Sequence, residues 1–128
     1  MKAPIERIRV SQRSRDILIT MKRRTGIEHW NVLCRWAFFA SLANPNKPVP
    51  APPSQESNIE MNWDVFAGDL GDNILSTFAT RAAKDKVQAT KAELAAYFRN
   101  HIERGILQLQ AAKDLTDLIK KCIAIDPG

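Results

Sequence analysis

"IERIRVSQRSRDILITMKRRTGIEHWNVLCRWAFFASL" (residues 5–42) changes its patterning twice. Over residues 5–10 apolar and charged residues alternate, which is the period of a half-buried strand. Ile8 and Val10 share one face, Arg7 and Arg9 the other. Ser11 is a good N-cap, and Ile17, Leu18 and Met21 then recur at helical spacing, so the sequence predicts a helix over 12–25. Lys22, Arg23 and Arg24 close that helix, where its negative dipole end favours cations, and Gly26 stops it in a left-handed conformation. A second helix is expected over 28–43. Its apolar residues lie on every side, and a helix that is apolar all round is buried all round. One small domain can hardly cover four faces of such a helix. A subunit interface is therefore expected to help, with Trp30, Leu33, Trp36, Phe38 and Phe39 as its candidates.

Beyond this segment, "NPNKPVPAPPSQESN" (44–58) holds five of the seven prolines and reads as an extended loop with no helix or strand. "IEMNWDVFAG" (59–68) has room for a short strand ending at Gly68. Asp72 or Gly71 is placed to cap a helix over 73–88, with the stripe Ile74, Leu75, Phe78, Ala82 and Val87. Thr90 and Glu93 form a capping box for a helix that reaches 111 and carries Leu94, Phe98, Ile102, Ile106 and Leu109. A last helix over 113–124 carries Leu115, Leu118, Ile119 and Cys122. At 128 residues the chain is expected to be a single domain, 1–128, with enough length for a core. The fold expected is mainly α and oligomeric: a strand and two helices, then a helical second half.

Charge is distributed unevenly. Residues 1–48 hold ten Lys/Arg against three Asp/Glu, a net of +7, whereas residues 49–128 net −2, so the whole excess of the +5 chain lies in its first part. Asp16 is the only acid between residues 7 and 27, although exposed helix faces normally mix both signs. Such asymmetry points to nucleic acid or an anionic surface. The candidates for phosphate contact are Arg7, Arg9, Arg13, Arg15, Lys22, Arg23 and Arg24, joined by Lys47, Lys84 and Lys86 on position and charge. For Arg7 and Arg9 two readings stand: insertion into a groove, or an edge strand kept from aggregating by charge.

Other chemistries find little support. "HIERG" (101–105) sets His101 and Arg104 one turn apart, but no partner for a catalytic histidine follows from spacing. Gly105 there reads as close helix packing. The glycines of "FAGDLGDN" lack phosphate-loop spacing, and Asp64, Asp69 and Asp72 read as loop and cap residues rather than a metal site. Trp30, Trp36 and Trp63 read as core or interface rather than base-stacking platforms. Cys34 and Cys122 have no CxxC and no nearby histidine, consistent with buried thiols in a reducing cytoplasm. No secretory signal is visible, and the apolar stretch 32–43 is too short for a bilayer. Neither cofactor nor metal is expected, and no carboxylate or histidine cluster suggests a nuclease.

The order strand, cap, helix, "TGI", helix is that of a ribbon-helix-helix unit, in which strands of two subunits pair and enter the major groove. A sequence-specific transcriptional regulator of that type is one reading. Three segments carry another. "RIRVSQRSRDILITMKRRTGIEHWNVLCRWAFFASL" resembles the N-terminal signature of the DndE family of DNA sulfur modification proteins, with Asn31–Arg35 as its Asn-Val-Leu-Cys-Arg run. "EMNWDVFAG" (60–68) is similar to the family's middle motif, and "HIERGILQL" (101–109) to its C-terminal His-Ile-x-Arg-Gly-Ile motif. The resemblance implies a role in DNA phosphorothioation, in which sulfur replaces a non-bridging phosphate oxygen. It implies a small non-enzymatic DNA-binding component, associated with nicked duplex DNA and with homotetramers. The sulfur chemistry would belong to partner proteins: a cysteine desulfurase, an iron–sulfur protein and an ATPase. DNA contacts in the family are assigned to surface basic residues, mainly lysines.

Overall fold

The computed structural model describes residues 3–124, with side chains described as far as Lys120. The elements are β1 (Arg7–Ser11), α1 (Gln12–Thr25), α2 (Trp30–Ala43), β2 (Glu56–Asn62), α3 (Trp63–Ala67), a 3-10 turn (Gly68–Leu70), α4 (Gly71–Lys84), α5 (Lys91–Leu109) and α6 (Leu115–Ala124). Local signals set several boundaries. The Ser11 hydroxyl accepts from the Ser14 N–H at 3.1 Å, so the chain leaves the strand and starts α1 in one residue. Gly26 ends α1 at φ 76°, with its N–H on the Lys22 carbonyl. Thr90 caps α5 by accepting from the Glu93 N–H.

The ribbon departs from expectation. β1 pairs antiparallel with β2 of its own chain, with Arg7 opposite Asn62, Ile8 opposite Met61 and Arg9 opposite Glu60; the register shifts between Arg9 and Ser11. The two-stranded ribbon is thus made within one protomer, not from strands of two subunits. β2 also begins at Glu56, inside the stretch expected to be structureless. Its inward residues are Ser57, Ile59 and Met61. Ser57 masks the alternation because it is polar, yet it is buried with its hydroxyl donating to the Val10 carbonyl at 2.8 Å. Residues 63–68 do not continue the strand: the Asn62 side chain accepts from the Val65 N–H and caps α3.

α4 spans 71–84 rather than 73–88, and neither Gly71 nor Asp72 is its N-cap, because the 3-10 turn feeds straight into it. It ends in a Schellman-type turn: Val87 N–H bonds the Ala82 carbonyl, Lys86 N–H bonds that of Ala83, and Lys86 takes φ 59°. No glycine marks this stop, so the helical pattern ran on through it. α6 starts at Leu115, two residues later than expected.

The core centres on α2 crossing α5, the most extensive helix pair in the molecule. Gly105 allows it: a Cβ there would lie 1.7 Å from the Ala37 carbonyl oxygen. Around the crossing sit Phe38, Phe66, Phe78, Phe98 and Trp63, with neighbouring ring centroids 5.3–6.5 Å apart. Ile8 and Val10 of the ribbon and Ile17, Leu18 and Met21 of α1 close the same core. This corrects the reading of α2. Leu33 and Phe38 are fully buried by the chain's own elements, so they are unavailable to a second subunit. One side of the helix remains open: Trp36 is half-buried and Phe39 is 40% exposed. With Val32, Arg35, Ala43 and Leu70 they line a shallow, mostly apolar depression of about 410 Å³. Trp30, half-buried, lies at the start of α2, and the Lys22 ammonium sits 4.8 Å from its ring centroid.

Candidate nucleic-acid interface

The candidate cations fall into three groups rather than one surface. The first lies on the outer face of the ribbon. Every second residue of β2 points outward, and those residues hold arginines from four places. Glu60 binds Arg7 Nη1 at 3.1 Å and Arg9 Nη2 at 2.6 Å; Asn58 Oδ1 accepts from Arg15 Nε at 3.1 Å; Glu56 pairs with Arg99 Nη2 at 2.9 Å. Arg15 Nη1 also lies 4.0 Å from Asp16, so four arginines stand against three carboxylates. The cluster keeps a positive excess in spite of its pairs, and exposed pairs of this kind are weak. Glu60 is held below the usual carboxylate range, first by its bond to Arg9 and then by that to Arg7, and Arg9 is raised in turn.

The second group closes α1. Lys22, Arg23 and Arg24 are all exposed. Arg24 reaches across to the Gln110 and Ala112 carbonyls beyond α5, while Arg23 makes no side-chain hydrogen bond or ion pair among the described residues. The third group borders a cleft of about 490 Å³ between the proline loop and the α4–α5 turn, with Lys47 and Lys86 at its rim and Tyr97 and Asn100 in its wall. Lys84 is exposed in the last turn of α4.

Arg13 belongs to none of these. Its Nη2 donates to the Pro52 carbonyl at 3.2 Å and lies 3.9 Å from Glu103, and its Nε is buried without a partner. Glu103 is itself a buried carboxylate under the start of α1, accepting from the Ser11 N–H, the Ser11 hydroxyl and the Ser14 hydroxyl. The proline loop covers this helix start as well: Gln55 O accepts from Gln12 N–H at 2.7 Å. The N-terminus of α1 is therefore occupied from within.

A second buried polar network joins α4, α5 and the end of α2. Arg81 donates to the Leu42, Asn44 and Asn46 carbonyls and pairs with Asp85, which also accepts from the Tyr97 hydroxyl. Burial pushes the Asp85 carboxyl up, but Tyr97 and Arg81 outweigh it and hold it low; burial and Asp85 together push the Tyr97 hydroxyl up. Arg104 donates to Ser41 Oγ at 2.8 Å and to the Ser41 and Asn46 carbonyls. Ser41 Oγ also lies 2.8 Å from His101 Nδ1, and the two side chains share a hydrogen bond in the core. His101 is fully buried, and burial, with Arg104 and Arg81 nearby, lowers it to about 4. This pair resembles a nucleophile and base only in composition, since Ser41 and His101 are both sealed from solvent.

Among the described residues no group of three or more His, Cys, Asp or Glu is placed to hold a metal ion, and no helix is long and apolar enough to cross a membrane. A model of the family described as DNA sulphur modification protein DndE matches residues 7–117. The chain belongs to the DndE family. A solved structure agrees in fold: DndE from Escherichia coli B7A, described as involved in DNA phosphorothioation modification, superposes with a TM-score of 0.67 at 22% identity. The match covers 84% of this chain and 99% of that one. No curated protein matches.

In this DndE-family chain the three motif segments do structural work. From the first, Asn31 and Arg35 donate to the Val65 and Phe66 carbonyls at the end of α3, while Leu33 and Cys34 fill the core. From the middle one, Met61, Trp63 and Phe66 are buried and Asn62 caps α3. From the last, His101, Glu103, Arg104 and Gly105 tie α5 to Ser41, to the β1–α1 corner, to the loop after α2, and to α2 itself. Sequence reasoning missed Glu103, Arg81 and Arg99. Glu103 meets its serines some ninety residues away, and Arg99 meets Glu56 across 43 positions, so neither carried a local signal.

Proposed function

We propose that this chain is a DNA-binding accessory subunit of the DNA phosphorothioation machinery, working in the cytoplasm without catalysis of its own. The observation that carries the reading is the outer face of the ribbon. Arg7, Arg9, Arg15 and Arg99 are gathered there along one strand against three acids, Glu56, Glu60 and Asp16, in a chain whose family acts in DNA sulfur modification. Guanidinium forks suit phosphate oxygens, and contacts of that type give affinity without sequence preference. Lys22 and Arg23 at the end of α1, and Lys47, Lys84 and Lys86 near the proline loop, extend the contact. The preferred substrate is nicked duplex. A nick exposes no unique base edge, so its recognition rests on backbone charge and on the freedom to bend at the break. The open side of α2, with Trp36 and Phe39, serves self-association into a homotetramer. The cysteine desulfurase, iron–sulfur protein and ATPase of the system supply the chemistry. Burial of Ser41 and His101 supports the non-catalytic part of the reading.

The test is the affinity for nicked and intact duplexes of one sequence, and of scrambled sequence, over a range of salt. The expected outcome is binding with little sequence preference and a steep fall with salt, each neutralised phosphate adding about 0.9 to the log–log slope. Lys22→Ala and Arg23→Ala should each lower that slope by about that amount. Failure of the protein to bind either duplex at low salt would refute the reading.

A further inference from the structure

The ribbon register sets Glu60 directly opposite Arg9, with Arg7 two residues along, so one carboxylate lies between two guanidinium groups. Its two oxygens are divided between them: Oε1 accepts from Arg7 Nη1 at 3.1 Å and Oε2 from Arg9 Nη2 at 2.6 Å. The cluster is open to solvent, the side chains being 72%, 47% and 26% exposed for Arg7, Arg9 and Glu60. A carboxylate presents two anionic oxygens on one central atom. The non-bridging oxygens of a phosphodiester present the same face, and arginine recognises both in the same way. The anion already seated between these arginines therefore has the shape and charge of a backbone phosphate.

We propose that Arg7 and Arg9 form a phosphate site on the ribbon and that Glu60 is its internal competitor, displaced when a DNA phosphate enters. The proposal rests on the DNA-binding reading above and gives that surface a specific site with a built-in restraint. Displacement needs only side-chain rotation, because Glu60 is on an open face and exposed ion pairs are weakly held. The restraint follows from charge. With Glu60 seated the site offers one net positive charge; without it, two. Arg15 and Arg99 stay engaged by Asn58 and Glu56, so the competition is local to Glu60.

The experiment compares duplex affinity across salt for the wild type, Glu60→Gln, the Arg7→Ala/Arg9→Ala double variant and the triple variant. Asp69→Asn, another exposed acid, serves as a control for net charge. Gln is isosteric with Glu, and circular dichroism melts verify that each variant folds. Glu60→Gln is expected to steepen the log–log salt slope by about 0.9, a gain that grows about eightfold between 1 M and 0.1 M salt. That gain should vanish when Arg7 and Arg9 are absent, and Asp69→Asn should leave binding unchanged. Equal affinity of Glu60→Gln and wild type would overturn the proposal. So would a gain of the same size in the double-variant background, which would mark a general charge effect. If wild type and Glu60→Gln both fail to bind at low salt, the DNA-binding reading falls with it; if wild type binds and Glu60→Gln gains nothing, only the present proposal falls.

Discussion

At the scale of single residues, burial dictates chemistry more than residue type does. Cys34 lies in the α2 core, and burial, helped by the negative field of Glu103, pushes its thiol up to about 12. Only the thiolate is nucleophilic, so Cys34 should resist alkylation at mildly alkaline pH and react only on unfolding. A Cys122→Ser variant labelled with and without denaturant checks this; Cys122 itself lies outside the described side chains. His101 gives a pH dependence. It is neutral in the fold, with a value of about 4 against the ordinary 6.5. The unfolded chain therefore binds the extra proton first as pH falls. The contribution of His101 is fully present above pH 6.5 and drains away as pH drops towards about 4, amounting to about 3 kcal/mol over that window. Urea unfolding at a series of pH values should show this loss in the wild type, and a shallower one in His101→Asn, with the carboxylate background common to both.

Among elements, the α2–α5 crossing is the least forgiving. Gly105 faces the Ala37 backbone, which cannot rotate aside as a side chain would. Gly105→Ala should cost about 3 kcal/mol or more, measured as a fall in the urea midpoint, because the two helices must move apart and the packing around Phe38 and Phe98 loosens. A glycine within a helix already hinted at close packing, and the partner is the backbone of α2. The ribbon was only half legible. Alternation at Ile8 and Val10 gave β1 and its faces, but Ser57 hid the start of β2, and with it the pairing of β1 to a strand of the same chain. At α4, capping residues at 71 and 72 suggested a start that the preceding 3-10 turn overrides.

For the whole molecule, the question is what remains uncovered once the core is complete. α5, α1 and α3 bury most of α2, leaving Trp36 and Phe39 on an apolar depression. If that face mediates self-association, a Trp36→Glu/Phe39→Glu variant should fall to the mass of a single chain in light scattering while keeping its helical circular dichroism. Leu33→Ala should instead lose about 3 kcal/mol of protomer stability, since Leu33 is sealed inside the chain. The same scale divides the cations. Position alone grouped Arg7 to Arg24 as one basic surface; the fold ties Arg13 to the Pro52 carbonyl beside Glu103, gathers Arg7, Arg9 and Arg15 with Arg99, and leaves Lys22 to Arg24 at the far end of α1.

Local chemistry in the sequence was sufficient for α1 with its serine cap and glycine stop, for the strand faces of β1, for the existence of α2, α4 and α5, and for the positive excess of the first part. These features depend on neighbours within a turn or two, and such neighbours are visible in the order of residues. Which arginines meet Glu56, Glu60 and Glu103, which apolar residues of α2 stay open, and where the second strand begins depended on contacts between residues about 30 to 90 positions apart. Those contacts exist only after the core closes, when burial has decided which polar groups must find partners inside and which remain in water.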